Sequence, residues 1–311
     1  MNTIPIAFAF DNNLVFPACI CISSLLMNAR DNTFYDVFIL NSAKDNIDRK
    51  QLDKIPLYYK NCRIQYKYVD NTFDFSYEIR GITTPAYYRL LIPELITEYD
   101  KVIYSDVDII FRMDLTELYS INIESYYLAA TKDFGLNFSD DGVKYISSIR
   151  GLKQGQYLQS GFILINCKKM CEDKLVDKFC SYASIKLKYQ DQDILNLCCN
   201  DNVLFLPIKY NMTDYSYYYL NVEREKIQSF LNENDIDEAL SVGNIHFNGH
   251  KPWKKYSVNF DIWWEYYRKS PFFDERFYFN FFYEKIDALD RLPLLKRIKI
   301  LLRYFIYGRK V

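Results

Sequence analysis

The segment Lys101–Phe111, KVIYSDVDIIF, constrains the fold more than any other part of this chain. Val102, Ile103 and Tyr104 make a short strand-like run that passes directly into two aspartates one residue apart, Asp106 and Asp108. Apolar residues then resume at Ile109. Carboxylates inside a buried run are costly unless something compensates their charge. The chain must therefore bring both to a place where a buried strand meets a cleft. In a parallel α/β sheet that place is the carboxyl end of a strand, where ligands bind. Two carboxylates converging there can hold a divalent cation, and the cation can hold a diphosphate.

The flanking sequence supplies such a sheet. Residues 4–10 (IPIAFAF) read as a buried strand that ends at Asp11-Asn12-Asn13, and a helix is expected over 17–29, with Ile20, Leu25 and Leu26 apolar. Strands at 37–40, 64–69 and 102–104 alternate with helices at 47–55 and 85–95. This order predicts a mostly parallel central sheet flanked by helices. A second block, about 126–250, carries strands at 127–131, 161–170 and 203–207, a helix opening at DQDILNLC (191–198), and the segment NIHFNGHKPW (244–253). Past that point the chain becomes aromatic (FDIWWEYY, FYFNFFYEK) and then basic. The expected division is a nucleotide-sugar-binding catalytic domain over 1–255 and an aromatic, basic helical appendage over 256–311.

Composition excludes several classes. Half of the residues are apolar, enough for a sizeable core, and the net charge of −1 gives no reason to expect nucleic acid as a partner. None of the eight cysteines forms a CxxC pair and most sit among apolar residues, which fits reduced core thiols of a cytoplasmic protein better than a zinc site. The first residues lack a basic stretch followed by a long apolar run, so no signal peptide is expected, and no run of about 18 apolar residues suggests a spanning helix. The 29 Tyr and 23 Phe suit a carbohydrate-facing groove, although a low-GC coding bias accounts for them equally well. Residues 291–311 contain seven Lys/Arg and no acid. On a helix, Leu294, Leu295, Ile298, Leu301, Leu302 and Phe305 share one face, and Lys296, Lys299, Arg303 and Lys310 lie opposite. That pattern fits a helix lying on an anionic membrane surface, or a terminal helix packed on the body with a solvated basic face.

Further groups can carry chemistry beside the aspartates. The chain's only histidines, His246 and His250, fall together in IHFNGHKPW. An imidazole nitrogen added to two carboxylates shifts preference from Mg²⁺ toward Mn²⁺. Gly249 allows a close backbone approach, and Lys251 offers a point charge for a phosphate oxygen. Asp191-Gln192-Asp193 opens a helix, where an acid can serve as a cap while another acid and the amide grip sugar hydroxyls. Arg89, among apolar neighbours, can reach a diphosphate or a sugar hydroxyl, or sit in a salt bridge.

Six segments in order, AFDNN (9–13), TTPAYYRLLIPEL (83–95), DKVIYSDVDIIF (100–111), YLQSGFILINCKKM (157–170), YQDQDILN (189–196) and HFNGHKPW (246–253), resemble the retaining glycosyltransferases of family 8. Bacterial lipopolysaccharide galactosyl- and glucosyltransferases belong to that family, and glycogenin more distantly. The resemblance implies a GT-A fold, a UDP-sugar donor and Mn²⁺, with Asp106, Asp108 and His246 as metal ligands. It implies that Ala9, Asp11 and Asn13 contact the nucleoside, Gly249 and Lys251 the diphosphate, and Arg89, Gln159, Asp191 and Gln192 the donor sugar. Arg89, Asp191 and Gln192 are its candidate catalytic residues. Two positions depart from the family pattern: Gln159 stands where Asn is frequent, and one residue rather than two separates Gly249 from Lys251. The implied activity is transfer of glucose or galactose from UDP to an oligosaccharide or lipid-linked glycan, at the inner face of a bacterial membrane, in lipopolysaccharide or other surface-glycan synthesis. A metal-dependent UDP-sugar hydrolase, a self-glycosylating primer and a non-enzymatic carbohydrate-binding scaffold are the competing readings.

Overall fold

In the computed structural model, which describes residues 2–73, 84–231 and 233–307, ten strands form two sheets. They are β1 (Asn2–Ala9), β2 (Thr33–Asn41), β3 (Cys62–Tyr68), β4 (Lys101–Ser105), β5 (Ile109–Ile110), β6 (Leu128–Lys132), β7 (Leu158–Asn166), β8 (Val203–Phe205), β9 (Met212–Thr213) and β10 (Ile245–His246). The large sheet has the order β3-β2-β1-β4-β7-β6-β8. Its first four strands run parallel, as do β6 and β8, while β7 runs antiparallel to both β4 and β6. The expected mostly parallel sheet is therefore present, with one reversed strand at its middle. Central strands are buried on both faces, and β7 is buried along its whole length. One core cluster packs helix Val15–Met27 against β1 and β2, and another packs the 84–95 segment and helix Gln190–Cys199 against the opposite face.

Three expected elements are reshaped. A helix over 47–55 does not form: Asn46 adopts left-handed backbone (φ 45°) and the Asp48 N–H is held by Asn12 Oδ1 at 2.8 Å. Only a 3-10 turn at Leu52–Lys54 and one helical turn at Ile55–Tyr58 follow, where Pro56 suits a helix start but not its interior. The 85–95 helix is a 3-10 segment, Thr84–Leu91, continued by an α-helical turn, Ile92–Leu95. The strand expected over 161–170 ends at Asn166, whose side chain accepts the Lys169 N–H at 3.0 Å and caps a new helix, Cys167–Glu172.

The small sheet, β5-β10-β9, joins distant parts of the chain beside the end of β4. His246 pairs with Ile109 on one side and Thr213 on the other, and the Phe247 N–H donates to the Asp108 carbonyl at 2.9 Å. In the aromatic region, Trp263, Trp264 and Tyr267 of helix Phe260–Lys269 are fully buried, with Phe16 edge-on to Trp263 and Tyr267 at 5.9 and 5.4 Å. Helix Glu275–Asp290 covers them through Phe281, 4.6 Å from Trp264. In the last helix, Leu294–Tyr307, Leu294, Leu295, Ile298, Leu301 and Leu302 are exposed. The side chains of Arg303, Phe305 and Lys310 lie outside the described residues, as does Thr83. All eight cysteines are free. Among the described residues no helix is long and apolar enough to cross a membrane.

Candidate active site

The buried strand β4 ends at Ser105, and Asp106 turns out of the sheet with its N–H on the Gly161 carbonyl of β7 at 2.7 Å. The next two residues lead into β5, so Asp108 is delivered beside His246 by the β5–β10 register. His246 Nε2 lies 3.2 Å from Asp108 Oδ1 and 3.8 Å from Asp106 Oδ2. One ligand atom from each of the three residues falls within 4.8 Å of the others.

The tautomer of His246 follows from a chain of hydrogen bonds anchored on a backbone donor. The Gly161 N–H can only donate, and it points at Gln159 Oε1 at 2.7 Å. That same oxygen is 2.7 Å from the Asn211 side chain, which must therefore present its NH₂ there and its oxygen to His246 Nδ1 at 2.9 Å. Nδ1 then carries the proton, and the Nε2 lone pair faces Asp108 Oδ1, a buried oxygen with no hydrogen-bond partner. Bare acceptors turned toward one another suit a cation between them. Gly161 leaves room for it, because a Cβ at that position would lie 2.5 Å from Asp106 Oδ2 and collide with the His246 ring. The donor set of two carboxylates and one imidazole fits Mn²⁺.

Arg89 is enclosed at the centre of the site. Its guanidinium donates to the Ser160 carbonyl at 2.8 Å, to Asp106 Oδ1 at 2.9 Å and to the Ala86 carbonyl at 2.9 Å, and lies 3.2 Å from Asp191 Oδ2. The Tyr104 ring lies beneath it at 4.2 Å, and the Tyr104 hydroxyl donates to Asp106 Oδ1 at 2.8 Å. Burial opposes the arginine's charge, but Asp106 and Asp191 outweigh it and raise its pKa above the ordinary value. Arg89 thus spends its donors on the protein rather than reaching into the cleft. Asp191, also buried, accepts from Ser160 Oγ at 3.0 Å. Burial pushes its carboxyl up to about 6, against the pull of Arg89. Asp108 moves the other way: burial opposes its charge, but the Lys251 ammonium holds it well below the usual carboxylate range. Lys251 caps this side, its ammonium on Asp108 Oδ2 and, at 2.6 Å, on the Phe247 carbonyl.

Gln192 is fixed at both ends of its amide, accepting the Ser160 N–H at 3.0 Å and donating to Asp133 Oδ2 at 3.0 Å. Asp193, the third member of the helix-opening trio, is a scaffold group held by the Tyr157 and Tyr145 hydroxyls at 2.5 and 2.6 Å. Ala9, Asp11 and Asn13 leave the sheet at the same end, since Ala7 of β1 pairs with Tyr104 of β4; Asp11 accepts the Asn13 N–H at 2.9 Å. Gly249 packs against the Asp214 carboxylate, which a Cβ there would strike. The structure therefore brings Arg89, Asp106, Asp108, Gln159, Asp191, Gln192, His246 and Lys251 together, sets Gly249 beside them, and places Ala9, Asp11 and Asn13 along the neighbouring strand end. Sequence reading passed over Asn211, Ser160, Tyr104, Asp133 and Asp214. Only Asp133 had a usable signal, as an acid ending the apolar β6 run in the manner of Asp106.

Comparison with known proteins agrees with this geometry. The profile of Glycosyl transferase family 8 matches residues 5–257. Glycosyltransferase GlyF of Streptococcus pneumoniae is 28% identical over 278 residues, covering 84% of this chain and 60% of that protein. A lipopolysaccharide 1,2-glucosyltransferase of Escherichia coli is 27% identical over 270 residues, 81% of this chain and 74% of its own length. This chain thus spans less than two thirds of the pneumococcal relative. Among solved structures, the galactosyltransferase LgtC in complex with donor and acceptor sugar analogues superposes with a TM-score of 0.70 at 23% identity, covering 88% of this chain and 98% of that one. The sheet order and the end-of-strand site are those of the GT-A fold, and this chain belongs to glycosyltransferase family 8.

Proposed function

We propose that the protein transfers a hexose, glucose or galactose, from a UDP-sugar to a glycan acceptor with retention at the anomeric carbon. The observation that carries this reading is the Asp106–Asp108–His246 triad, with its unpaired Asp108 oxygen and with Lys251 alongside. Those three side chains would hold Mn²⁺, which when bound neutralises negative charge on the departing UDP. Ala9, Asp11 and Asn13 contact the nucleoside, and Gly249 lets the backbone approach the diphosphate. Lys251 shifts from Asp108 toward a phosphate oxygen, adding a positive charge where the leaving group develops its negative one. Arg89 is a positioning residue that sits between Asp106 and Asp191 and fixes where both carboxylates lie. Asp191, Gln192 and Gln159 border the donor sugar.

Gln192 Oε1 already accepts from Ser160, and Asp191 is engaged by Arg89 and Ser160. An amide is a poor nucleophile and the arginine pairing blunts the carboxylate, which favours same-face delivery of the acceptor hydroxyl. In that step the acceptor oxygen bonds to the anomeric carbon, the bond to the diphosphate oxygen breaks, and that oxygen takes the acceptor's proton. The similarity to a lipopolysaccharide glucosyltransferase supports a role in lipopolysaccharide or other surface-glycan synthesis. The exposed leucines and basic residues of the last helix support attachment to the anionic inner face of a bacterial membrane from the cytoplasm.

The test is a UDP-sugar screen with Mn²⁺, following UDP release by the wild type and by Asp108→Ala. Release is expected from one hexose donor, stimulated by glycan acceptor, and at background in the variant. Equal release by both proteins would remove the metal-site reading, and release indifferent to acceptor would favour the hydrolase.

A further inference from the structure

Each aspartate of the Asp106–Asp108 pair has a protein cation on one of its oxygens, and the two cations differ in kind. Arg89 holds Asp106 Oδ1 at 2.9 Å, and its side chain is only 5% exposed. The carbonyls of Ala86 and Ser160 and the Asp191 carboxylate fix the same guanidinium, so its departure would break the whole cluster. Lys251 holds Asp108 Oδ2 with a side chain that is 29% exposed. Its other hydrogen bond goes to the Phe247 carbonyl at 2.6 Å. An ammonium on a flexible four-carbon stem can turn where a locked, planar guanidinium does not.

The segment that carries Lys251 is anchored at both ends and open between them. Phe247 is buried, with its N–H on the Asp108 carbonyl at 2.9 Å. Trp253 is buried against Trp263, their ring centroids 5.4 Å apart. Asn248, Gly249 and His250 lie exposed between these anchors. The lysine side chain can therefore swing while Asp108 and His246 keep their places.

Charge decides what that swing does. Asp108 Oδ1 and His246 Nε2 are bare acceptors facing each other at 3.2 Å, whereas Asp108 Oδ2 is already taken. An ammonium on one oxygen repels a second cation brought to the other oxygen of the same carboxylate. A diphosphate beside Gly249 offers Lys251 a more highly charged partner, and the move relieves Asp108 of that repulsion.

We propose that Lys251 is a built-in competitor for the metal position: it holds Asp108 until a diphosphate draws it away, so that Mn²⁺ and the nucleotide load the protein together. The assignment rests on the metal-site reading above and adds regulation of that site. Binding linkage is reciprocal, so the same residue makes UDP affinity depend on Mn²⁺.

The test is titration of the full chain with Mn²⁺, with and without UDP, following free Mn²⁺ by electron paramagnetic resonance. Without UDP, Lys251→Met is expected to bind Mn²⁺ about tenfold tighter than the wild type, within the usual range of coupling between sites, and the factor by which UDP tightens Mn²⁺ should shrink by a similar amount. Lys251→Gln carries the same expectation if the methionine variant does not fold. Lys254→Met, which removes an exposed charge three residues further on, should leave Mn²⁺ binding unchanged. The proposal is overturned if the Lys251 variants bind Mn²⁺ without UDP no better than the wild type, or if Lys254→Met gives the same gain. A Lys251 that only contacts phosphate gives the first of these results. Absence of Mn²⁺ binding in every protein, with or without UDP, removes the metal-site reading itself and this proposal with it.

Discussion

Asn211 touches no expected ligand atom, yet it decides which nitrogen of His246 faces the aspartates. Removing such a hydrogen-bond partner of a metal-ligating histidine typically costs about 10–100-fold in metal affinity. Asn211→Ala is therefore expected to weaken Mn²⁺ binding in that range by calorimetry, with little change in the far-UV spectrum. Asp191 gives a pH signature. Its folded pKa of about 6 lies above the ordinary 3.8, so folding favours its protonated form. The associated stability is fully present below about 4 and is lost as pH rises through about 6. In the metal-free protein, Asp191→Asn should gain on the wild type across that interval, read as the difference in denaturant midpoint. A constant difference would contradict the burial argument. Much of this site was legible residue by residue, because Asp106, Asp108, Arg89 and His246 are expensive in apolar surroundings and demand a reason. Asn211 was not legible, since such a residue in a short connection looks like an ordinary turn former until the fold shows what it faces, and Ser160 was not, since a small polar residue inside a strand carries no sign of its partners.

The elements that matter most are strand β7 and helix Gln190–Cys199, which must stay in register for Ser160 to meet Gln192. Asn196 fixes that register, accepting the Leu158 N–H at 2.8 Å and donating to the Leu158 and Gln192 carbonyls at 3.1 and 2.8 Å. Asn196→Leu leaves buried backbone groups unpaired and should cost about 1–3 kcal/mol by chemical denaturation. A neutral result would show that the strand and helix are held by packing alone. Strand cores were readable because β-branched and aromatic runs are unambiguous. Their ends were not, because capping by Asn166 and the left-handed turn at Asn46 are single-residue events inside otherwise continuous patterns. The 3-10 character of Thr84–Leu91 likewise has no periodicity that separates it from an α-helix.

At the scale of the whole molecule, the alternation of strands and helices foretold a parallel sheet but not the reversal of β7, because direction is set by tertiary pairing rather than by local pattern. The aromatic region is anchored: Trp263 and Trp264 are buried against the body, whereas Leu294 and Leu295 of the last helix are 71% and 81% exposed. Deleting residues 291–311 should therefore leave donor turnover and thermal stability close to wild type while abolishing sedimentation with vesicles containing anionic lipid. Undiminished vesicle binding would refute attachment through the tail.

The pairing of β10 with β5 has a temporal meaning for a chain made from its amino terminus. The two aspartates leave the ribosome early, but their imidazole partner arrives only when residue 246 does, after most of the large sheet can already have formed. Loop-closure entropy is paid before such a distant contact is rewarded. A nascent or truncated chain ending before β10 can hold a nearly complete scaffold yet lacks the third side chain proposed to hold the metal, so on that reading competence to capture metal arises late in synthesis.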